Sequence, residues 1–382
     1  MAYLVSDLRN ELEAAGHGTS TNDLQNFYEL IYRAGRKVLL YCDPPDTKRV
    51  SSLINLYDNI TLYSAPSDLK GNKVIDVRPQ ADEVRVAGDN LSQTYTKPFE
   101  TWADDNRIAI EMKSATKFLR LRKALTGRIV LNDFQSATAN GTWTVGGTGS
   151  NLQTDSTVFI TGSASLSFDV TGAGTATLAN LTMTQQDLTD HLNKASLFLW
   201  IYMPTASNVT SVALRWGSDA SNYYEKTGVT TTHSGTAFQN GWNLIRFDWP
   251  TSDTGSPTIT AIDYVLLSIV HTATDTSYRV DSLTSNLPYP WEIPYYSKFL
   301  FRDTSGTWIE KPTAETDIVN LDTDGYNLLF NVCAKFATQQ VQGKDMAADN
   351  NFFEKEMKED FAMYNSLYPS EYMKPQITYY SL

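Results

Sequence analysis

Between residues 129 and 287 the apolar side chains of this sequence mostly alternate with polar ones, and on either side of that stretch they recur every three or four positions. Alternation lines one face of a strand, whereas a spacing of three or four draws a stripe along a helix. The two patterns bury their apolar residues in different ways, so the chain reads as a strand-built unit set inside a helix-built one. Within 129–287 the polar residues are Thr, Ser, Asn and Gly, and they divide the stretch into about nine short strands with turns between them, as in a sandwich or jelly roll. In Gly162-Ser-Ala-Ser-Leu-Ser-Phe-Asp-Val170 the alternation is strict. It sets Leu166, Phe168 and Val170 inward and Ser165, Ser167 and Asp169 outward. Ala195-Ser-Leu-Phe-Leu-Trp-Ile-Tyr202 is the most apolar strand, and Pro204 ends it.

In the flanks, Ser6 caps a short helix that Gly16 ends. Leu24, Phe27, Ile31, Ala34 and Val38 form the stripe of a second helix, stopped by Pro44-Pro45. A third helical stretch is expected through Val50, Leu53, Ile54 and Tyr57. Short strands or arms follow at 60–63 and 73–78, and Ile108-Ala-Ile-Glu-Met112 reads as a strand. Beyond residue 287, a hairpin is expected around Asp303-Thr-Ser-Gly306. Tyr326, Leu329, Phe330, Cys333, Phe336 and Ala337 then mark a helix, and Phe353, Met357, Phe361, Tyr364 and Tyr368 a last one. Residues 80–105 and 371–382 read as extended arms that dock on a neighbour. The helices on either side are too few to fold well apart, and together they suffice for a bundle. The expected fold class is α+β and multidomain. A discontinuous, mostly helical bundle with short β arms, made of 1–128 and 288–382, is interrupted by a jelly-roll-like β-sandwich at 129–287.

The 382 residues are 41% hydrophobic, enough to bury a core, and carry a net charge of −12, which disfavours general nucleic-acid binding. Against that balance, Lys113, Lys117, Arg120, Arg122, Lys123 and Arg128 form a basic strip. It faces an acidic partner or DNA, or it is a solvated strand face paired with the chain's own carboxylates. Cys42 and Cys333 lie on helical stripes and read as buried thiols. His17, His191, His233 and His271 are scattered, with no metal-ligand spacing. There is no apolar run of about 18 residues to span a membrane, and no basic stretch leading into an apolar core near the start, so a secretory leader is not expected.

No serine-nucleophile elbow, phosphate loop or dinucleotide fingerprint is present, so the expectation is a protein without enzymatic activity. Aromatic residues are dense in the alternating stretch: Trp200, Tyr202, Trp216, Tyr223, Tyr224, Trp242 and Trp249. On a surface they would stack on the apolar faces of sugar rings; inside, they would fill the core. Trp200, in the most apolar strand, is expected in the core. Trp216, Tyr223 and Tyr224, which flank the polar turn Gly217-Ser-Asp219, are the expected sugar-binding surface. Asp133 opens the stretch and Asp281 closes its last strand. If those ends pair, a structural calcium ion would relieve the repulsion between the carboxylates; the alternative is ordinary turn capping.

Two resemblances follow. On Asn132-Asp-Phe134, Gly162-Ser-Ala-Ser-Leu166, Leu197-Phe-Leu-Trp-Ile-Tyr202, Gly241-Trp-Asn-Leu-Ile-Arg-Phe-Asp248, Ile262-Asp-Tyr264 and Val280-Asp-Ser-Leu283, the 129–287 stretch resembles carbohydrate-binding-module-like jelly rolls. That implies a sandwich that binds sugars or mediates contacts, with Asp133 and Asp281 where such modules often hold structural calcium. The flanks look like head–tail connector, or neck, proteins of tailed bacteriophages. This rests on Ser6-Asp-Leu-Arg9, residues 322–340 and Tyr364-Asn-Ser-Leu-Tyr-Pro-Ser-Glu371, and is a similarity of texture and order. It implies a virion structural protein, assembled in the host cytoplasm, that forms a ring with its own copies. Its partners would be portal and tail proteins and DNA in the channel, with no membrane and, calcium aside, no cofactor. Plain connectors lack a sandwich. The second reading is therefore a glycan-binding adhesin, or a tail or baseplate protein recognising host surface sugars.

Overall fold

The computed structural model describes residues 3–18, 23–50, 54–75, 78–79, 108–113, 116–121, 127–138, 140–342 and 347–369. Strand accounts for 43% and helix for 23%, with four helices among the described residues, so the mostly helical bundle expected of the flanks does not form. The chain divides into two compact units. One is Met1–Ile54 with Ala65–Trp102 and Trp291–Leu382; the other is Asn55–Ser64 with Ala103–Pro290.

The first unit combines helices with small sheets. Asp23 caps the helix Leu24–Tyr41, its carboxylate accepting from Gln25 N at 2.9 Å. That helix buries Phe27, Ile31, Ala34 and Val38 in one cluster with Leu329, Val332, Cys333 and Ala337 of the helix Thr323–Gln342. Val5, Leu8 and Leu12 of the helix Val5–Ala14 and Met357, Phe361 and Tyr364 of Ala347–Leu367 complete this core. Gly35 lets Leu300 and Phe301 come close to the helix: a Cβ there would lie 3.1 Å from Leu300 Cδ1. The hairpin at 303–306 forms, with Phe301 opposite Ile309 and Arg302 opposite Trp308.

The third helix expected through Val50, Leu53, Ile54 and Tyr57 is replaced by a single 3₁₀ turn, Pro45–Thr47, and the strands Lys48–Val50 and Ile54–Leu56. Lys48–Val50 pairs with Pro294–Ser297, which also pairs with Leu69–Val74. A backbone partner supplied from the far end of the chain outweighs a local helical pattern. The arms expected at 80–105 and 371–382 lie outside the described residues.

The second unit is a sandwich of two antiparallel sheets. One runs in the order Trp143–Gly147, Gly174–Asn180, Tyr264–His271, Val209–Asp219, Asn222–Val229 and Asp253–Thr254. The other runs Gly149–Asp155, Ser165–Val170, Asp275–Asn286, Ser196–Met203 and Gly241–Asp248, with Arg128–Asn132 beside the end of Asp275–Asn286. Leu166, Phe168 and Val170 enter the core, as their alternation predicts, and meet Leu178, Leu214, Ile245, Phe247 and Leu267 from the neighbouring strands. A separate three-stranded sheet joins Leu62–Ser64, Thr116–Leu121 and Ile108–Lys113. No described helix is long and apolar enough to cross a membrane.

Candidate functional site

The strand Ser196–Met203 is apolar on both faces. Leu197, Leu199, Ile201 and Met203 enter the core, which leaves Phe198, Trp200 and Tyr202 on the other face of the five-stranded sheet. The same parity turns Trp242, Leu244 and Arg246 outward from Gly241–Asp248, whose Ile245 and Phe247 are core. Strand register then aligns one residue per strand in a row: Trp242, Tyr202, Arg279, Ser167 and Gln153. With strands about 4.8 Å apart, the row runs for about 19 Å across the sheet. Trp200 stands in the adjoining row, between Leu244 and Asp281. Trp200, Tyr202, Trp242 and Leu244 are all half-buried.

The row is held stiffly. The Tyr202 and Trp242 rings meet edge to face, with centroids 5.6 Å apart. The Arg279 guanidinium lies 4.8 Å above the Tyr202 ring. Its Nε donates to Asp155 Oδ2 at 2.6 Å and its Nη1 to Ser277 O at 2.9 Å. Asp155 also accepts from the Thr157 hydroxyl at 2.5 Å and from Thr157 N at 2.8 Å. Those Thr157 bonds, with Arg279 beside them, hold its carboxyl well below the usual carboxylate range. Arg246 is neutralised in its turn by Asp248, at 2.9 Å. The face therefore offers aromatic surface next to hydrogen-bonding groups, and its charges come in opposed pairs.

Toward Phe198 the face is closed. Tyr57 packs edge-on against Phe198 at 4.7 Å and faces Ser196 Oγ at 3.3 Å, and Asn286 Nδ2 donates to Asp58 O at 3.1 Å. His233 fills the corner between Tyr57, Tyr63 and Phe198.

The residues expected to bind sugar are not brought together on a surface. Trp216 is fully buried, packed at 5.3 Å against Trp249, and Tyr224 is buried beside it. Tyr223 is half-buried under the Arg215 guanidinium at 4.5 Å, and Arg215 pairs with Glu225 at 2.7 Å. The parity of Val212, Leu214 and Trp216, all core, overrides the polar turn that follows them. Trp200, expected in the core, faces out instead.

Asp133 is exposed and Asp281 fully buried. Among the described residues, no three His, Cys, Asp or Glu side chains gather where they could hold a metal ion. Of the basic strip, Arg122 and Lys123 lie outside the described residues, as does the side chain of Lys113. Arg120 makes a two-pronged pair with Glu111, Arg128 lies 3.7 Å from Asp58, and Lys117 is half-buried. The carboxylates that meet Arg120 and Arg128 thus come from this chain. Arg279, Asp155 and Gln153 went unnoticed in the sequence, because only strand register puts them beside Tyr202.

No protein-family model matches the sequence, and no curated protein does. Among solved structures, the chain is similar to a family 11 carbohydrate-binding module from Clostridium thermocellum in complex with a β-1,3-1,4-mixed-linked tetrasaccharide. The identity is 11%, over 42% of this chain and 96% of that one, with a TM-score of 0.29. It is also similar to a carbohydrate-binding module of the β-sandwich superfamily described for promiscuous specificity, at 13% identity over 61% and 96% of the two chains and a TM-score of 0.30. A third is a CBM27 module of Caldicellulosiruptor saccharolyticus in complex with mannohexaose, at 12% identity, 42% and 97% coverage and a TM-score of 0.27. These likenesses are distant, and what those modules bind is a property of those modules; several of the chain's structural neighbours are carbohydrate-binding-module β-sandwiches.

Proposed function

We propose that the sandwich binds a neutral oligosaccharide along the Trp242–Tyr202–Arg279–Ser167–Gln153 row, without turning it over. The row itself carries this reading. Tyr202 and Trp242, set nearly at right angles, offer apolar ring surface on which the C–H faces of sugar rings settle. Ser167 is buried beneath the row, and the exposed Gln153 amide and the Arg279–Asp155 pair stand beside the rings to exchange hydrogen bonds with sugar hydroxyls. Paired charges favour a neutral chain, since an acidic sugar would find Arg279 and Arg246 already matched by Asp155 and Asp248. A row that crosses five strands suits several sugar rings better than one.

The ring-forming connector expected from the texture and order of the flanks finds no support among the structural neighbours, and it is not carried forward. The test is a glycan array on the full chain, followed by calorimetric titration of the best oligosaccharide. Trp242→Ala and Tyr202→Ala should each weaken binding at least about tenfold while circular dichroism stays unchanged. Binding that survives both substitutions, or an array with no neutral glycan bound, would remove the proposal. Release of shortened sugars during incubation would contradict the absence of turnover.

A further inference from the structure

Beside the sugar-binding face, residues 156–164 form a loop pinned at two points. At one, Asp281 Oδ2 accepts from Ile160 N at 2.6 Å and from Thr161 N at 2.9 Å, and its Oδ1 accepts from the Thr161 hydroxyl at 2.9 Å. At the other, three backbone carbonyl oxygens converge on the side-chain nitrogen of Gln135. These are Asp133 O at 2.9 Å, Ala164 O at 3.0 Å and Thr161 O at 3.2 Å. Convergent carbonyls next to a buried carboxylate are the ligand set of a hard cation. Here the position belongs to an amide.

We infer that the Gln135 side-chain amide takes the place of a structural cation, so that this loop is organised without a metal. The other half of the amide decides the matter. Gln135 Oε1 accepts from Ser163 N at 2.6 Å, Ala164 N at 3.1 Å and the Ser163 hydroxyl at 3.2 Å, which a cation could not do. Asp281 accepts three hydrogen bonds from the loop, and burial outweighs them to push its carboxyl above its ordinary value, so the site does not hold a strongly anionic group in wait for a cation. The Asp133 side chain stays exposed and only caps Gln135 N, at 3.4 Å. The calcium ion implied by the family resemblance thus does not fit the donors present. Gly162 is what admits the amide: at φ +68°, with a Cβ that would come 2.4 Å from Gln135 Oε1, no other residue suits. Asp281 is the register partner of Trp200, so the clamp sets the loop carrying Phe159 and Ile160, each 39% exposed, at the edge of the face. Gln135 is in this sense a positioning residue.

The test needs no sugar. The melting temperature of the full chain should be the same in excess EDTA and in excess calcium, and calorimetry should show no calcium binding. Gln135→Ala should lower the melting temperature by about 5 °C, through the loss of six hydrogen bonds, three of them part-buried. Gln135→Glu turns a donor into a carboxylate facing three carbonyls; it should be less stable than the wild type in EDTA and recover when calcium is added. Stoichiometric calcium binding by the wild type, a fall in its melting temperature in EDTA, or a Gln135→Glu variant as stable as the wild type in EDTA would each overturn the inference. The wild-type arms decide it even if Gln135→Ala does not fold.

Discussion

Acid should weaken the corner where His233 sits, by an amount that the environment of the ring sets. Both ring nitrogens are sealed from solvent without a normal hydrogen bond, although the residue as a whole is only half-buried. The rings of Tyr63 and Phe198 lie 5.3 Å away and that of Tyr57 6.1 Å, all near edge-on. Burial, with Arg246 adding to it, lowers the His233 pKa from 6.5 to about 4; the Leu62 backbone and Asp248 pull weakly the other way. An unfolded chain takes up this proton near pH 6.5, while the folded one refuses it until about pH 4. In that window the unfolded state binds more protons, so stability is full above pH 6.5 and falls as the pH drops toward 4. At about 1.4 kcal/mol for each pH unit, the loss from this one group is about 3 kcal/mol. Urea denaturation at pH 7, 5.5 and 4.5, followed by tryptophan fluorescence, would measure it against His233→Leu, which cannot titrate. The other titrating groups are common to both chains. The wild type should lose about 3 kcal/mol more than the variant across the window. Parallel profiles would refute the reasoning.

Two further substitutions separate core from surface. Trp216→Ala should destabilise the sandwich by about 3–5 kcal/mol in chemical denaturation, because it empties a fully buried site; a near-neutral result would mean that Trp216 is not core. Asp68, buried in the first unit, accepts from the Tyr295 hydroxyl at 2.7 Å and the Ser297 hydroxyl at 2.8 Å and pairs with Arg49. Burial opposes its charge, and these partners outweigh burial, holding its carboxyl below the usual range. Asp68→Ala should therefore lower stability at neutral pH by about 2–4 kcal/mol, and a change below about 0.5 kcal/mol would contradict the role assigned to these bonds.

The strands that read clearly in the sequence are those with one polar face. Leu166, Phe168 and Val170 alternate with serines and an aspartate, so their side of the sheet needs no partner to be known. In Ser196–Met203 both faces are apolar, and periodicity cannot say whether Leu199 or Trp200 meets the core. The neighbouring strands decide, and they turn Trp200 and Tyr202 outward. For Trp216 the decisive signal was present in its own strand, since it shares parity with Val212 and Leu214; the polar turn beyond it was the weaker cue. The helix expected through Val50 and Ile54 failed for a different reason, as Lys48–Val50 takes its partner from Pro294–Ser297. Arg279 over Tyr202, Asp155 beneath Arg279, and Gln135 within three carbonyls are products of register and loop closure. Spacing along the chain carries no trace of them.

A structure of the full chain with its best-binding oligosaccharide asks most directly whether sugar rings settle on this face. We expect a ring against Tyr202 and Trp242, with hydroxyls within about 3 Å of Asp155, Arg279 or Gln153. An oligosaccharide seated elsewhere, for instance beside Tyr223 on the opposite sheet, with Tyr202 and Trp242 untouched, would contradict the proposed function.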